Sequence, residues 1–262
     1  MPEGDTVHLA ATRLHAALAG KTLTKTDFRV PAFATLDLAG RELIEVRARG
    51  KHLLFRIEDG HTLHTHFKME GTWHLYRPGE KWRGPAGQVR AVLETSERVA
   101  VGFRLAIVEV LPTSAEDKVV GHLGPDVLGP DWDPDEVVRR IEARPDEPIA
   151  DVLIDQTVVA GPGNVYRNEI CFLRGLHPAT LVRDAGDIRA TVALLKKTME
   201  ANRATGMQIT TGIDRPGMHH YVYGRKGLPC RRCGTLIVKE ADEVGQTRVT
   251  YLCPHCQSGH TS

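Results

Sequence analysis

The chain has 262 residues, with 34 Lys and Arg against 33 Asp and Glu, so its formal net charge is only +1 at neutral pH. That balance excludes a uniformly basic nucleic-acid binder, while the length suffices for one large or two smaller domains with real cores. No apolar run approaches a membrane span and the start lacks a basic-then-apolar leader, so no membrane association is expected and the default setting is the cytoplasm.

The chain opens Met1-Pro2-Glu3-Gly4. Removal of Met1 would leave a free secondary amine on Pro2 beside the Glu3 carboxylate, a Schiff-base nucleophile with its own general acid or base. Many proteins start Met-Pro with no such use, so the reading depends on the rest of the chain. A helix follows, capped by Asp5 or Thr6 and running to about Ala19. Val7, Ala10, Ala11, Leu14, Ala17 and Leu18 form its apolar stripe, and Gly20 suits the exit. Such a helix would hold the chain end in a fixed place.

From about Thr22 to Leu111 the pattern is that of strands: Leu43 to Arg49, His52 to Ile57, His61 to Phe67, Thr72 to Arg77, Gln88 to Glu94, Arg98 to Phe103 and Ala106 to Leu111. Asp59-Gly60 reads as a hairpin turn between two of them. Many short strands at this spacing predict an antiparallel sandwich or barrel. Gly121, Gly124-Pro125, Gly129-Pro130 and Pro134 then mark a domain boundary.

Helices follow. Asp133-Pro134 supplies an N-cap and first turn for a helix to about Ala143. Others are expected from about Pro148 to Asp155, from Asn164 to before Gly175, and from about Asp187 to Arg203. The stretch Gly161-Pro162-Gly163-Asn164 lets the backbone turn tightly into a helix N-terminus, where Asn164 could bond both helix and phosphate. No nucleotide-binding βαβ unit surrounds it, so two short helices around a glycine-bearing turn suit a DNA-backbone clamp better. An ordinary capped helix is the plainer alternative.

The tail from about Met218 reads as short strands around Cys230-Arg-Arg-Cys233 and Cys253-Pro-His-Cys256. Four thiolates from two such knuckles close a tetrahedron around zinc with no open position, which makes the ion structural. A redox dithiol pair is the weaker alternative, and His255 is a bystander. Arg248 lies between the knuckles, where a hairpin tip would present it to a phosphate. Arg203, Arg215, Arg225, Lys226, Arg231, Arg232 and Lys239, against the single acid Asp214, form either a phosphate-binding face or a solvated one.

Six stretches, in order, resemble one family. They are Pro2-Glu3-Gly4, Arg49-Gly50-Lys51-His52-Leu53-Leu54, His122-Leu123-Gly124-Pro125-Asp126, Gly161-Pro162-Gly163-Asn164-Val165-Tyr166, Val222-Tyr223-Gly224-Arg225-Lys226-Gly227, and the finger ending Cys256-Gln257. The family is the formamidopyrimidine-DNA glycosylase and endonuclease VIII group of base-excision repair enzymes. The resemblance implies an α+β chain. An N-terminal antiparallel β-sandwich flanked by helices (1–120) precedes a helix–two-turns–helix domain (131–217) and a C-terminal zinc finger (218–262) holding one structural zinc ion. It also implies a monomer acting on damaged duplex DNA in the bacterial cytoplasm, at the nucleoid.

The implied activity is bifunctional: a glycosylase step on an extruded base, then cutting of the abasic strand by β,δ-elimination. Pro2 would attack the sugar C1′, Glu3 would protonate the ring oxygen, and Lys51 would contact phosphate and assist. Asn164 and Arg248 match family phosphate-binding residues. Met69 stands where the family often has an intercalating side chain, or else belongs to the sandwich core. Gly4, and the absence of an Arg-Arg-Phe-Gly loop between Arg98 and Val110, favour the endonuclease VIII side and oxidised pyrimidines over oxidised purines. Asp5-Thr6 replaces a more usual Pro-Glu, which leaves open whether Asp5 supplies the displaced carboxylate. Two rival readings remain: a catalytically weak DNA-damage binding protein on the same fold, and a zinc ribbon fused to an unrelated β domain.

Overall fold

The computed structural model describes residues 2–241 and 249–258. The chain divides into two compact units, Met1–His122 and Leu123–Ser262. The first begins with helix α1 (Gly4–Leu18) and continues through strands β1 (Lys21–Thr22), β2 (Lys25–Phe28), β3 (Glu42–Arg49), β4 (His52–Ile57), β5 (His61–His66), β6 (Thr72–Tyr76), β7 (Val89–Glu94), β8 (Val99–Phe103) and β9 (Ile107–Pro112), then a short helix α2 (Asp117–Val120). The second holds α3 (Pro134–Glu142), α4 (Ile149–Val152), α5 (Asn164–Arg174), α6 (Ile188–Asn202), β10 (Val238–Ala241) and β11 (Val249–Leu252).

Two antiparallel sheets build the first unit, one ordered β1-β3-β4-β5-β9 and the other β2-β7-β8-β6. Alternation along β4 explains the layering: Leu53, Phe55 and Ile57 point into the core, while His52 and Arg56 lie on the opposite face. Phe28, Ala91, Leu93 and Ala100 of the second sheet complete the same core. Val7, Ala11, Leu14 and Leu18 of α1 are buried in it too, and α1 lies along β3. The predicted stripe is thus the packing face. The cap differs from expectation: Glu3 is the N-cap residue, with no side-chain cap bond, and Asp5 lies inside the first turn.

The outer face of the larger sheet carries polar groups around a buried Leu54. Arg56 donates Nε and Nη2 to Glu116 at 3.0 and 2.8 Å, and Thr62 donates to the same carboxylate at 2.7 Å. Burial opposes the charge on Glu116, but the Arg56 and Thr62 hydrogen bonds outweigh it and hold the carboxyl below the usual range.

In the second unit, α3 to α6 surround a core that includes Ile141, Val152, Tyr166, Ile170, Val192 and Met199. Asp133 caps α3 by accepting from the backbone N–H groups of Asp135 and Glu136, as its sequence position predicts. The α4 helix is shorter than expected. Asp155 accepts from the Thr157 N–H at 2.8 Å and from its hydroxyl at 2.7 Å, a local turn that competes with helix continuation. Residues 153–163 then form the two turns between α4 and α5. Gly124 packs against them so closely that a Cβ would sit 2.4 Å from the Val158 carbonyl oxygen. The strands β10 and β11 pair antiparallel, and Cys230, Ile237 and Cys253 share a small core with Phe172 of α5.

Phe55 is fully buried and lies 5.0 Å from the Trp73 ring, centroid to centroid. Phe55→Ala should cost about 3–5 kcal/mol of unfolding free energy, read as a fall in the urea midpoint with little change in slope.

Candidate active site and nucleic-acid interface

Pro2 is half-buried at the mouth of α1, and the next acid, Glu3, is fully buried. Asp5, the second residue of α1, is fully buried, and its Oδ1 accepts from the Thr6 N–H at 2.8 Å. The first turn of α1 therefore sets two carboxyl groups beside the chain's end, at the positive pole of the helix.

Lys51 sits in the two-residue turn that joins β3 to β4, since Arg49 pairs directly with His52. Gly50 takes φ +58°, a conformation that disfavours any other residue and that such a hairpin requires at its first turn position. Beside this turn lies a histidine cluster that sequence reading did not single out. Nδ1 of His52 is 2.8 Å from Nε2 of His64, and Nδ1 of His64 is 2.6 Å from Glu109 Oε1. The His66 ring meets His52 edge-on at 4.7 Å, and His122 does so at 6.5 Å. Burial lowers His52 to about 3, helped by His66, His64, His122 and Lys68. Burial likewise lowers His66 to about 4, helped by Lys68, His64 and Lys51. The signal in the sequence was the alternation His52, His64, His66, which gains meaning only once the strand register is known.

Met69 is 66% exposed at the tip of the turn after β5, where Lys68 takes φ +52°. It is therefore not part of the sandwich core. The connection from β8 to β9 is only Arg104-Leu105-Ala106, and Arg104 reaches Glu70 of the Met69 turn at 4.0 Å.

On the second unit, Gly163 rather than Asn164 is the N-cap of α5, and Asn164 is its first helical residue. Its amide donates to the Val249 carbonyl at 2.9 Å, so it fastens the helix to the start of β11 instead of capping the helix. Asn168 continues the attachment by accepting from the Tyr251 N–H at 2.6 Å, and Arg167 donates to the Thr250 hydroxyl. Glu169, fully buried, accepts from the N–H groups of Tyr221, Val222 and Tyr223 at 2.8 Å each. Arg248 lies outside the described residues.

The four finger cysteines hold their sulfurs within 4.8 Å of one another, with Cys230–Cys256 at 3.9 Å and Cys233–Cys253 at 3.5 Å. A zinc–sulfur bond of about 2.3 Å gives a tetrahedral edge near 3.8 Å, so the donor set fits zinc in both chemistry and size. Burial raises the Cys253 thiol and pushes Cys256 up to about 12, whereas hydrogen bonding with Thr235 lowers Cys233 to about 6. Collecting four thiolates there requires a cation.

Much of the basic stretch turns out to be neither phosphate face nor solvated face. Arg225 donates to the carbonyls of Tyr221 and Pro229, Arg231 to those of His220 and Gly217, and Arg232 to those of Phe172 and Leu173. These guanidinium groups satisfy loop and helix-end carbonyls where no regular ladder does.

The chain matches the formamidopyrimidine-DNA glycosylase N-terminal domain over residues 1–106, the H2TH domain of the same enzymes over 123–211, and the zinc finger found in FPG and IleRS over 227–259. It is 49% identical to the probable endonuclease 8 2 of Streptomyces coelicolor, over 99% of this chain and 95% of that protein. It is 47% identical to the DNA-(apurinic or apyrimidinic site) lyase Nei2 of Mycolicibacterium smegmatis, over 98% of this chain and 99% of that one. Its fold matches a Lactococcus lactis formamidopyrimidine-DNA glycosylase bound to DNA containing an abasic site, with a TM-score of 0.79 at 23% identity over 97% of this chain and 99% of that one. No helix among the described residues is long and apolar enough to cross a membrane.

The lowered histidines carry a stability signature. Unfolded histidines titrate near 6.5, so between that value and about 4 the unfolded chain binds more protons than the folded one. Stability should be complete above about pH 6.5 and decline as pH falls toward 4. Urea midpoints should show this, with a smaller decline in His66→Gln.

Proposed function

The chain belongs to the formamidopyrimidine-DNA glycosylase and endonuclease VIII family, and we infer that it removes oxidised pyrimidines from duplex DNA through Pro2. It is a DNA glycosylase and abasic-site lyase of base-excision repair. The observation that carries the residue-level reading is the pair of buried carboxyl groups, Glu3 and Asp5, at the start of the helix that follows Pro2.

Once Met1 is gone, the neutral Pro2 amine bonds to C1′ as the glycosidic bond to the damaged base breaks, and the N–H proton that the nitrogen sheds balances the one that the departing base takes up. Glu3 gives a proton to the ring oxygen as the C1′–O4′ bond opens, and the nitrogen is left as a cationic iminium. That cation draws electrons from C2′ after its proton is removed, so the 3′ phosphate leaves (β-elimination) and then the 5′ phosphate (δ-elimination). A secondary amine suits this role because its iminium cannot neutralise itself by losing an N–H proton. Lys51 contacts the strand phosphate from its hairpin turn, and Asp5 takes the place of the carboxylate that many relatives carry one position later.

Met69, exposed at its turn, fills the gap that the extruded nucleotide leaves. The three-residue β8–β9 connection supports the pyrimidine side, since it has no space for the loop that fills this gap in the oxidised-purine branch. Asn164 and Arg248 hold phosphates from the clamp and the finger, with residues 1–120, 131–217 and 218–262 as catalytic, clamping and finger bodies. Cys230, Cys233, Cys253 and Cys256 hold one zinc ion, which supplies structure only. The protein works as a monomer in the bacterial cytoplasm.

Borohydride reduction on duplex DNA bearing an abasic site or an oxidised pyrimidine should trap a covalent adduct. The adduct should disappear in Pro2→Gly and when Met1 is retained. Its absence with processed, zinc-loaded protein overturns the nucleophile assignment. Arg248→Ala should weaken DNA binding across sequences and lower the salt-dependence slope by about one unit, as loss of a single phosphate contact does.

A further inference from the structure

The histidine cluster has a directionality that its hydrogen bonds impose. A carboxylate can only accept, so Glu109 fixes the proton of neutral His64 on Nδ1. Nε2 of His64 then carries a lone pair and must accept from Nδ1–H of His52. The relay therefore ends on a lone pair at Nε2 of His52. His66 is fixed the other way: its Nδ1 accepts from the Lys68 N–H at 2.9 Å, which leaves the proton on Nε2. Of the imidazole nitrogens whose protonation this network sets, Nε2 of His52 is the one that gains a proton without breaking a bond.

The groups around His52 within the first unit are mostly cationic or neutral. Arg49 of β3 stands directly opposite it, His66 of β5 pairs with it on the other side, and His64 and His122 lie against its ring. Lys68 and, through His66, Lys51 add positive charge, and Glu109 of β9 is the acid of the relay. Without an anion this corner repels a proton, whereas a docked phosphodiester would reverse that balance.

We propose that Glu109, His64 and His52 form a relay that makes Nε2 of His52 a proton-accepting contact for the DNA backbone docked at Lys51. His52 is then a binding residue, and His64 and Glu109 are its positioning residues. The proposal rests on the reading of Lys51 as a phosphate contact. On docking, one proton from solvent bonds to Nε2, the ring becomes cationic, and the new N–H donates to a phosphate oxygen. No other bond changes. The bound form holds its proton to higher pH than the free form, so affinity rises as pH falls and the gain is absent well above neutrality.

The test is binding to a duplex carrying a tetrahydrofuran abasic analogue, which stays uncut, measured by fluorescence anisotropy at fixed salt at pH 8 and pH 5. Thermal melts at each pH verify folding. The ratio of affinity at pH 5 to that at pH 8 should be about threefold higher in the unsubstituted chain than in His52→Phe, as expected for linked uptake of part of one proton. Glu109→Gln keeps an acceptor for His64 without the charge and should give an intermediate ratio; it is half-exposed, so it also covers failure of the His52 variant to fold. Equal ratios in the three proteins overturn the proposal, as does a loss in His52→Phe that is the same at both pH values. A Glu109→Gln ratio equal to that of the unsubstituted chain overturns the positioning role. If the unsubstituted chain neither binds the analogue nor forms a borohydride adduct, the DNA reading itself falls, and the relay's role falls with it.

Discussion

In the role proposed for it, Pro2 is a nucleophile at the chain's own end, tethered from one side only. Everything that fixes Pro2 must therefore act through the residues that follow it. The constraint is met by packing: Val7, Ala11, Leu14 and Leu18 anchor α1 in the sandwich core, and β3 lies along the helix. Because α1 starts at Gly4, only Pro2 and Glu3 separate the helix from Met1. The energy that holds the start of α1 is thus ordinary apolar burial several residues away. Strands β3 and β4, which the Gly50-Lys51 turn joins, share that core.

The second unit solves a different problem. Its finger strands are too short to own a core, and the four sulfurs supply one staple. Helix α5 supplies the other. Asn164, Arg167 and Asn168, at spacings of three and four along one face, bond to three consecutive residues of β11. The Asn164 and Asn168 bonds satisfy the Val249 carbonyl and the Tyr251 N–H, and the Arg167 bond takes the Thr250 hydroxyl.

Local features were legible in the sequence and long-range polar ones were not. The α1 stripe, the seven longer strands, the Asp133 cap and the cysteine knuckles depend on residues close along the chain, and each appears where its pattern places it. Asn164 was visible as a residue at a helix start, yet its partner is Val249, 85 positions away. The His52–His64–Glu109 chain spans three strands and exists only in one register; a shift of one residue on β5 would turn His64 to the other face. The three arginines that bind loop carbonyls looked like surface charge because composition cannot tell a solvated cation from one that replaces a missing backbone donor.

Helix α5 touches three separate matters within eleven residues. Asn164, Arg167 and Asn168 meet β11, Phe172 packs into the small core with Cys230, Ile237 and Cys253, and Glu169 gathers three successive amide groups of the 221–223 loop. A helix is stiff over this length, so these attachments share one rigid template. Substitutions on it would then be expected to show strong epistasis, because loosening one attachment lets the helix shift and changes what the other two are worth. That rigidity also narrows the sequences α5 can accept: Asn168 and Glu169, adjacent in the chain, serve the finger and the loop on different sides of one helix, so neither can drift without altering the geometry the other depends on.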